Sequence, residues 1–85
     1  MIIKSNSFSI LVPNFGEYMK KHLEYADERS NKFWEIELKG KTINICYGRI
    51  GIQNPATQKK SFPSTDLAKK YYEQKLREKL NKGYH

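Results

Sequence analysis

The sequence predicts an α+β domain, a small antiparallel β-sheet with one long C-terminal helix packed on it. Between Thr42 and Tyr47, polar and apolar residues alternate with the period of two that a half-buried strand requires. From residue 65 to residue 82, apolar residues instead recur at helical spacing. The Gly40 turn before Thr42 is short enough to join antiparallel neighbours. One sheet and one helix that covers it form a two-layer domain.

Four strands are predicted in chain order, separated by polar or glycine-containing turns. They cover residues 22–26, 33–38, 42–49 and 58–62. In the second strand, alternation places Trp34, Ile36 and Leu38 on one face and Glu35 and Glu37 on the other.

The helix has a start signal and a stop signal. Ser64 is a suitable N-cap, and Asp66 lies in the first turn, where the helix dipole favours an acid. Gly83 is a natural C′ residue, and Tyr84 is its expected apolar partner. The predicted core of sheet and helix contains Trp34, Ile36, Ile43, Ile45, Leu67, Tyr71 and Leu76.

Residues 1–18 are predicted to be an N-terminal extension to a domain of residues 19–85. Phe8, Ile10 and Val12 alternate with their neighbours, which suggests a short strand before the turn signal at residues 13–16. That segment is either an added edge strand or a loose arm.

Length and charge restrict the classes of function. With 85 residues the chain can form one small domain, which we expect to be a monomer. Its net charge of +7 favours nucleic acid as a partner, or second an anionic membrane surface, although solubility alone also explains such an excess. The single cysteine excludes an internal disulfide and a zinc site built on cysteine pairs. No apolar run is long enough for a membrane span, and we expect a cytoplasmic location.

No set of residues has the spacing of a catalytic or metal site. His22 lies in a predicted strand, and His85 is the last residue of the sequence, where fraying is expected. Glu35 and Glu37 could imitate a pair of catalytic carboxylates, but a solvated strand face explains them better. We therefore predict no catalytic residues, no metal and no cofactor.

A short motif stands at the end of the third strand, in Tyr47-Gly48-Arg49-Ile50-Gly51. Glycine permits positive φ and close approach of another chain. Arginine binds phosphate in a bidentate manner, and an aromatic face packs on a sugar or base. From these five residues alone, a simple hairpin corner with an exposed arginine is the preferred interpretation.

This motif resembles the signature of the WGR domain, with Tyr47 in the place of the tryptophan. Three further segments are similar to small bacterial WGR proteins in order and spacing. They are Ser30-Asn31-Lys32-Phe33-Trp34-Glu35-Ile36-Glu37-Leu38, Lys59-Lys60-Ser61-Phe62-Pro63-Ser64 and Glu78-Lys79-Leu80-Asn81-Lys82-Gly83-Tyr84. The resemblance covers residues 19–85.

The resemblance implies roles for individual residues. In poly(ADP-ribose) polymerases, WGR domains contact DNA at a strand break, which would place Tyr47 on a sugar and Arg49 on DNA or on another domain. Asn31 matches an asparagine that helps to hold the nucleic acid, and Gly48 and Gly51 match positions that shape the loop. A phenol offers less packing area than an indole and adds a polar tip.

We therefore expect a non-enzymatic nucleic-acid-binding module that recognises backbone and sugar. DNA is preferred over RNA on the resemblance alone, and the alternative is a module that binds an acidic protein. Lysines on neighbouring hairpins could converge on one rim with Arg49. The predicted binding residues are Asn31, Lys41, Tyr47, Gly48, Arg49, Lys59 and Lys60.

Overall fold

Four antiparallel strands and one helix make up the computed structural model, which describes residues 18–85. The strands follow chain order across the sheet as β1-β2-β3-β4. The elements are β1 (Tyr18–Ala26), β2 (Asn31–Lys39), β3 (Thr42–Arg49), β4 (Ala56–Ser61) and α1 (Thr65–Asn81). The predicted α+β architecture is thus confirmed, while the strand predicted near Phe8, Ile10 and Val12 lies outside the described residues.

Strand β1 begins four residues earlier than the alternation at Leu23 and Tyr25 predicted. Its first residue, Tyr18, lies opposite Lys39 at the end of β2, so β1 is as long as the strand it pairs with. The Tyr18 hydroxyl also donates a hydrogen bond of 2.8 Å to a Glu37 carboxylate oxygen. Backbone pairing with β2 therefore extends β1 through residues whose sequence pattern is not that of a strand.

Two glycines shape the turns at opposite ends of β3. Gly40 has φ of 60° and is the first central residue of the two-residue turn between β2 and β3, a position that favours glycine. Gly51 has φ of 94° and follows Ile50 in a turn closed by a 3.1 Å hydrogen bond from Ile52 N–H to the Arg49 carbonyl. Positive φ at this third turn position is typical of type II turns.

One face of the sheet is covered by α1, and the core lies between them. Its largest fully buried side chains are Ile36, Leu38 and Ile43. Ala68 and Tyr72 are the buried residues of α1. The remaining buried hydrophobic residues are Leu23, Trp34 and Ile45.

The predicted core is confirmed in its sheet half and wrong at one helix position. Trp34, Ile36, Ile43 and Ile45 are buried, and the half-buried Tyr71 and Leu76 pack against them. Leu67, by contrast, is 47% exposed. At 3.6 residues per turn, Leu67 lies about 100° from Ala68 around the helix axis, and so at the flank of the buried stripe.

Both helix ends are capped as predicted. The Ser64 hydroxyl accepts a 3.2 Å hydrogen bond from Leu67 N–H. At the C-terminus, Gly83 has φ of 102° and donates to the Leu80 carbonyl, and Tyr84 donates to the Lys79 carbonyl. These two bonds together make a Schellman motif.

His85 does not fray, contrary to the expectation from its position. Its backbone exchanges two hydrogen bonds of 2.8 Å with Glu24 of β1. The preceding Tyr84 packs its ring on Tyr25 at 5.4 Å between centroids. Residues 83–85 are therefore tied to the edge strand.

Candidate nucleic-acid interface

Tyr47 and Trp34 lie directly opposite each other on β3 and β2, on the face that α1 covers. Trp34 is buried, but Tyr47 is 40% exposed because it lies near the end of β3. The phenol ring therefore borders the groove between sheet and helix, and its exposed part is available to a ligand.

Arg49 and Asn31 meet at the same end of the sheet. Arg49 pairs with Lys32 in the register, and the next residue, Ile50, donates a 2.9 Å backbone hydrogen bond to the Asn31 carbonyl. Asn31 and Arg49 both line a shallow depression beside the turn of residues 27–30. Both side chains are exposed.

Gly48 is closely packed by the loop that follows β3. A Cβ at this position would lie 3.1 Å from Ile52 Cγ2 and 3.6 Å from Pro55 Cβ. The first distance is tighter than ordinary contact, so the loop folds closely over the glycine. This close packing lies between Tyr47 and Arg49 in the chain.

The three lysines predicted for the interface lie in three different places. Lys41 is in the turn at the opposite end of β3 from Arg49, roughly 26 Å away along the strand at about 3.3 Å per residue. Lys59 pairs with Asn44 on the sheet face that α1 does not cover. Lys60 pairs with Ile43 on the helix side. The register therefore does not bring the three onto one rim with Arg49.

Other lysines lie close to Tyr47, in a cluster that we name the lysine seam. It follows the junction between α1 and the sheet, and the ammonium groups of Lys32, Lys75 and Lys79 lie over aromatic rings. The Lys79 Nζ is 5.7 Å from the ring centroid of Trp34 and 5.1 Å from that of Tyr84. The members of the seam are Lys32, Lys75, Lys79 and Lys82.

The family model of the WGR domain matches residues 19–85. The chain belongs to the WGR domain family. Two relatives from Escherichia coli K12 are similar to it. An uncharacterized protein, YfeS, is 36% identical over 66 residues, which are 78% of this chain and 27% of YfeS. Protein YehF is 36% identical over 64 residues, 75% of this chain and 23% of YehF. The chain thus spans about a quarter of the length of these curated relatives.

A crystal structure of a Bacteroides fragilis protein has the same fold. The TM-score is 0.74 at 36% sequence identity, over 78% of this chain and 18% of that one. Within residues 18–85, no helix of this WGR domain is long and apolar enough to span a membrane.

The face of the WGR sheet that α1 does not cover differs from the helix side in that it carries several carboxylates. His22 lies between two carboxylates, with Nε2 2.9 Å from Glu24 and Nδ1 2.8 Å from Glu35. Glu37 accepts from the Tyr18 hydroxyl, which lowers the pKa of Glu37 and raises that of Tyr18. The same face also has Lys20, Lys39 and Lys59, so acids and cations are interspersed there.

Glu35 and Glu37 do not form a carboxylate pair of the catalytic type. Each is engaged by a different neighbour, His22 or Tyr18. Cys46 lies on the same face, half-buried and opposite Glu35 and Thr57. In the part of the chain that the structure describes, no group of histidine, cysteine and acidic residues could hold a metal ion.

Sequence reasoning missed the helix lysines as binding candidates, because a charged helix usually has a solvated outer face. Their spacing could have indicated that they lie on the side of the helix that faces the sheet. Lys75, Lys79 and Lys82 follow one another at i, i+4 and i+7, in register with Ala68 and Tyr72 on the buried side.

Proposed function

We propose that this WGR domain is a non-enzymatic module that binds nucleic acid, preferentially DNA, through its backbone and sugars. The observation that supports this most directly is the exposed Tyr47, which borders a groove lined by lysines, with Arg49 two residues further along β3. An aromatic ring can pack on a sugar or base irrespective of sequence, and cations around it neutralise phosphates. The net charge of +7 is of the sign that this requires.

The proposed contacts divide by chemistry. Tyr47 packs on a sugar, Arg49 makes a bidentate phosphate contact, and Asn31 donates hydrogen bonds beside it. Gly48 holds the two neighbours in place. Lys60, on the groove side of β4, adds a phosphate contact, while Lys41 and Lys59 would be reached only by a ligand that extends beyond the groove.

An NMR titration with three probes tests this function. Short duplex DNA, nicked duplex DNA and single-stranded RNA are added to the labelled protein, and backbone amide shifts are followed. We expect the largest shifts at Asn31, Tyr47, Gly48 and Arg49, with DNA more effective than RNA. Absence of shifts with all three probes at millimolar concentration would overturn the proposal.

Salt dependence separates backbone recognition from general attraction to acidic molecules. If three or four phosphates are neutralised, the log–log slope of affinity against salt is roughly −3 on duplex DNA. Polyglutamate of matched charge serves as the control for an acidic protein partner. Polyglutamate that binds as tightly as DNA and shifts the same amides would favour the protein-partner alternative.

A further inference from the structure

We infer that the lysine seam is a phosphate track, along which a nucleic-acid backbone runs from Tyr47 across the C-terminal half of α1. This inference rests on the proposed function and adds to it the path of the ligand and four contact residues, Lys32, Lys75, Lys79 and Lys82. The track does not include the Lys41 turn, which lies at the other end of the sheet.

The helix pattern is the first observation. At about 100° per residue, Lys75, Lys79 and the C-cap residue Lys82 lie within about 40° of Ala68, on the side of α1 that faces the sheet. In the N-terminal half that side is occupied by Ala68 and Tyr72, which are buried. An amphipathic helix places charges on the opposite side. Lysines on the inner side therefore need an explanation other than solubility.

Contacts with aromatic rings hold the ammonium groups in place. Lys79 contacts the rings of Trp34 and Tyr84, as described above. In addition, the Lys32 Nζ is 5.1 Å from the Tyr25 ring centroid. The Lys75 Nζ lies 5.5 Å from the Tyr71 centroid. Lys32, Lys75 and Lys79 thus have ring contacts along one line of the surface, of the kind in which a stem packs on a ring while the charged head reaches water.

The charges of the seam are crowded and only partly compensated. Burial lowers the pKa of Lys79, and repulsion from Lys82, Lys32 and Lys75 adds to this effect. Glu78 acts in the opposite sense on Lys79, but its carboxylate is also shared with Lys75 at 3.4 Å. A row of phosphates would relieve this repulsion, which gives the free energy of binding a favourable electrostatic contribution.

The shape of the surface gives the path. Lys79 and Lys82 line two adjoining depressions, one that contains Lys32 and one that contains Tyr47. The second depression continues past Gln58 to Lys60. A backbone strand can therefore follow one groove with cations at both ends and the exposed tyrosine between them.

The test compares two double variants of the same helix. Lys79→Gln with Lys82→Gln removes two charges from the seam, and Lys70→Gln with Arg77→Gln removes two from the opposite side of α1. Binding of a 16-base-pair duplex and of a 16-nucleotide oligothymidylate is measured between 50 and 300 mM salt. Each lost phosphate contact reduces the magnitude of the log–log slope by about 0.9 on duplex or 0.7 on single strand. Amide spectra check that each variant is folded, and Lys75→Gln with Lys82→Gln is used if the first pair is not.

We expect the seam variant to lose about 1.8 from the slope on duplex, or about 1.4 on single strand, and the control variant to lose less than half as much. Equal losses for the two variants would overturn the track while leaving nucleic-acid binding intact. If the unaltered protein binds neither probe, the proposed function fails and the track with it.

Discussion

Trp34 and Tyr47 are paired across β2 and β3, yet one is 4% exposed and the other 40%. The difference arises because Trp34 lies beneath the C-terminal half of α1, under Lys79, whereas Tyr47 lies at the rim of the groove. Two aromatic neighbours on one face thus have different environments, one in the core and one at the surface.

Replacing each of these residues by alanine should separate stability from binding. Trp34→Ala is expected to cost about 3–5 kcal/mol of unfolding free energy, since a buried indole leaves a cavity. Tyr47→Ala should cost much less and should weaken DNA binding while leaving the salt slope unchanged, because no charge is lost. Urea unfolding and fluorescence anisotropy measure the two effects. A Tyr47→Ala variant with unaltered affinity would remove Tyr47 from the interface.

Arg49 and Lys41 provide a second pair, this time at opposite ends of β3. Arg49→Ala should weaken binding and reduce the magnitude of the salt slope by about 0.9 on duplex DNA. Arg49→Lys should restore the slope but not the full affinity, because lysine cannot make the bidentate contact. Lys41→Ala is expected to change affinity for a short duplex only slightly. Equal effects of Arg49→Ala and Lys41→Ala, measured by anisotropy at three salt concentrations, would indicate a diffuse positive surface instead of a site.

The sequence was sufficient for the elements of the fold, because local signals and tertiary packing agree along most of residues 18–85. Alternation predicted the buried faces of β2 and β3, and Ser64 and Gly83 marked the helix ends. The sequence was insufficient at Tyr18 and His85, because backbone pairing with a neighbouring strand determines their conformation. Leu67 was misplaced because a residue at the flank of an apolar stripe has the same composition signal as one at its centre.

Less of the candidate site than of the fold could be predicted from the sequence. The motif residues Tyr47 and Arg49 could be identified because they are neighbours in the chain. The relation of Lys41, Lys59 and Lys60 to them depends on strand register, since adjacent residues such as Lys59 and Lys60 lie on opposite faces of the sheet. The seam joins β2 to α1, so Lys32 is separated from its other members by more than forty residues in the sequence.

The different environments of Ile36 and Leu67 lead to a prediction about stability. Ile36 is fully buried at the centre of the sheet, and Ile36→Ala is expected to lower the free energy of unfolding by about 2–5 kcal/mol. Leu67→Ala should change it by less than about 1 kcal/mol, since the side chain is half exposed. Chemical unfolding at constant pH compares the two. A loss at Leu67 as large as that at Ile36 would contradict the assigned packing of α1.

His22 gives the domain a pH-dependent contribution to stability. Hydrogen bonds to Glu24, which has the larger effect, and to Glu35 raise the pKa of His22 above its usual value. Both ring nitrogens face carboxylates, so the protonated imidazole can donate to both, and its ring stacks on Phe33 at 5.7 Å. Because the pKa is higher in the folded state, protonation of His22 stabilises the folded protein. This stabilisation is complete below the unfolded-state pKa of about 6.5 and is lost as the pH rises through the folded-state pKa.

The comparison of His22→Gln with the unaltered protein at pH 5.5 and pH 8.5 tests this linkage. We expect His22→Gln to lower the melting temperature at pH 5.5 and to lower it less, or not at all, at pH 8.5. In NMR titrations, the His22 imidazole should have a midpoint above 6.5. His85→Gln is the matched control, since the hydrogen bond of the His85 side chain within residues 18–85 is to the Gly83 backbone carbonyl. The same loss at both pH values would show that His22 acts through packing on Phe33 and not through its charge.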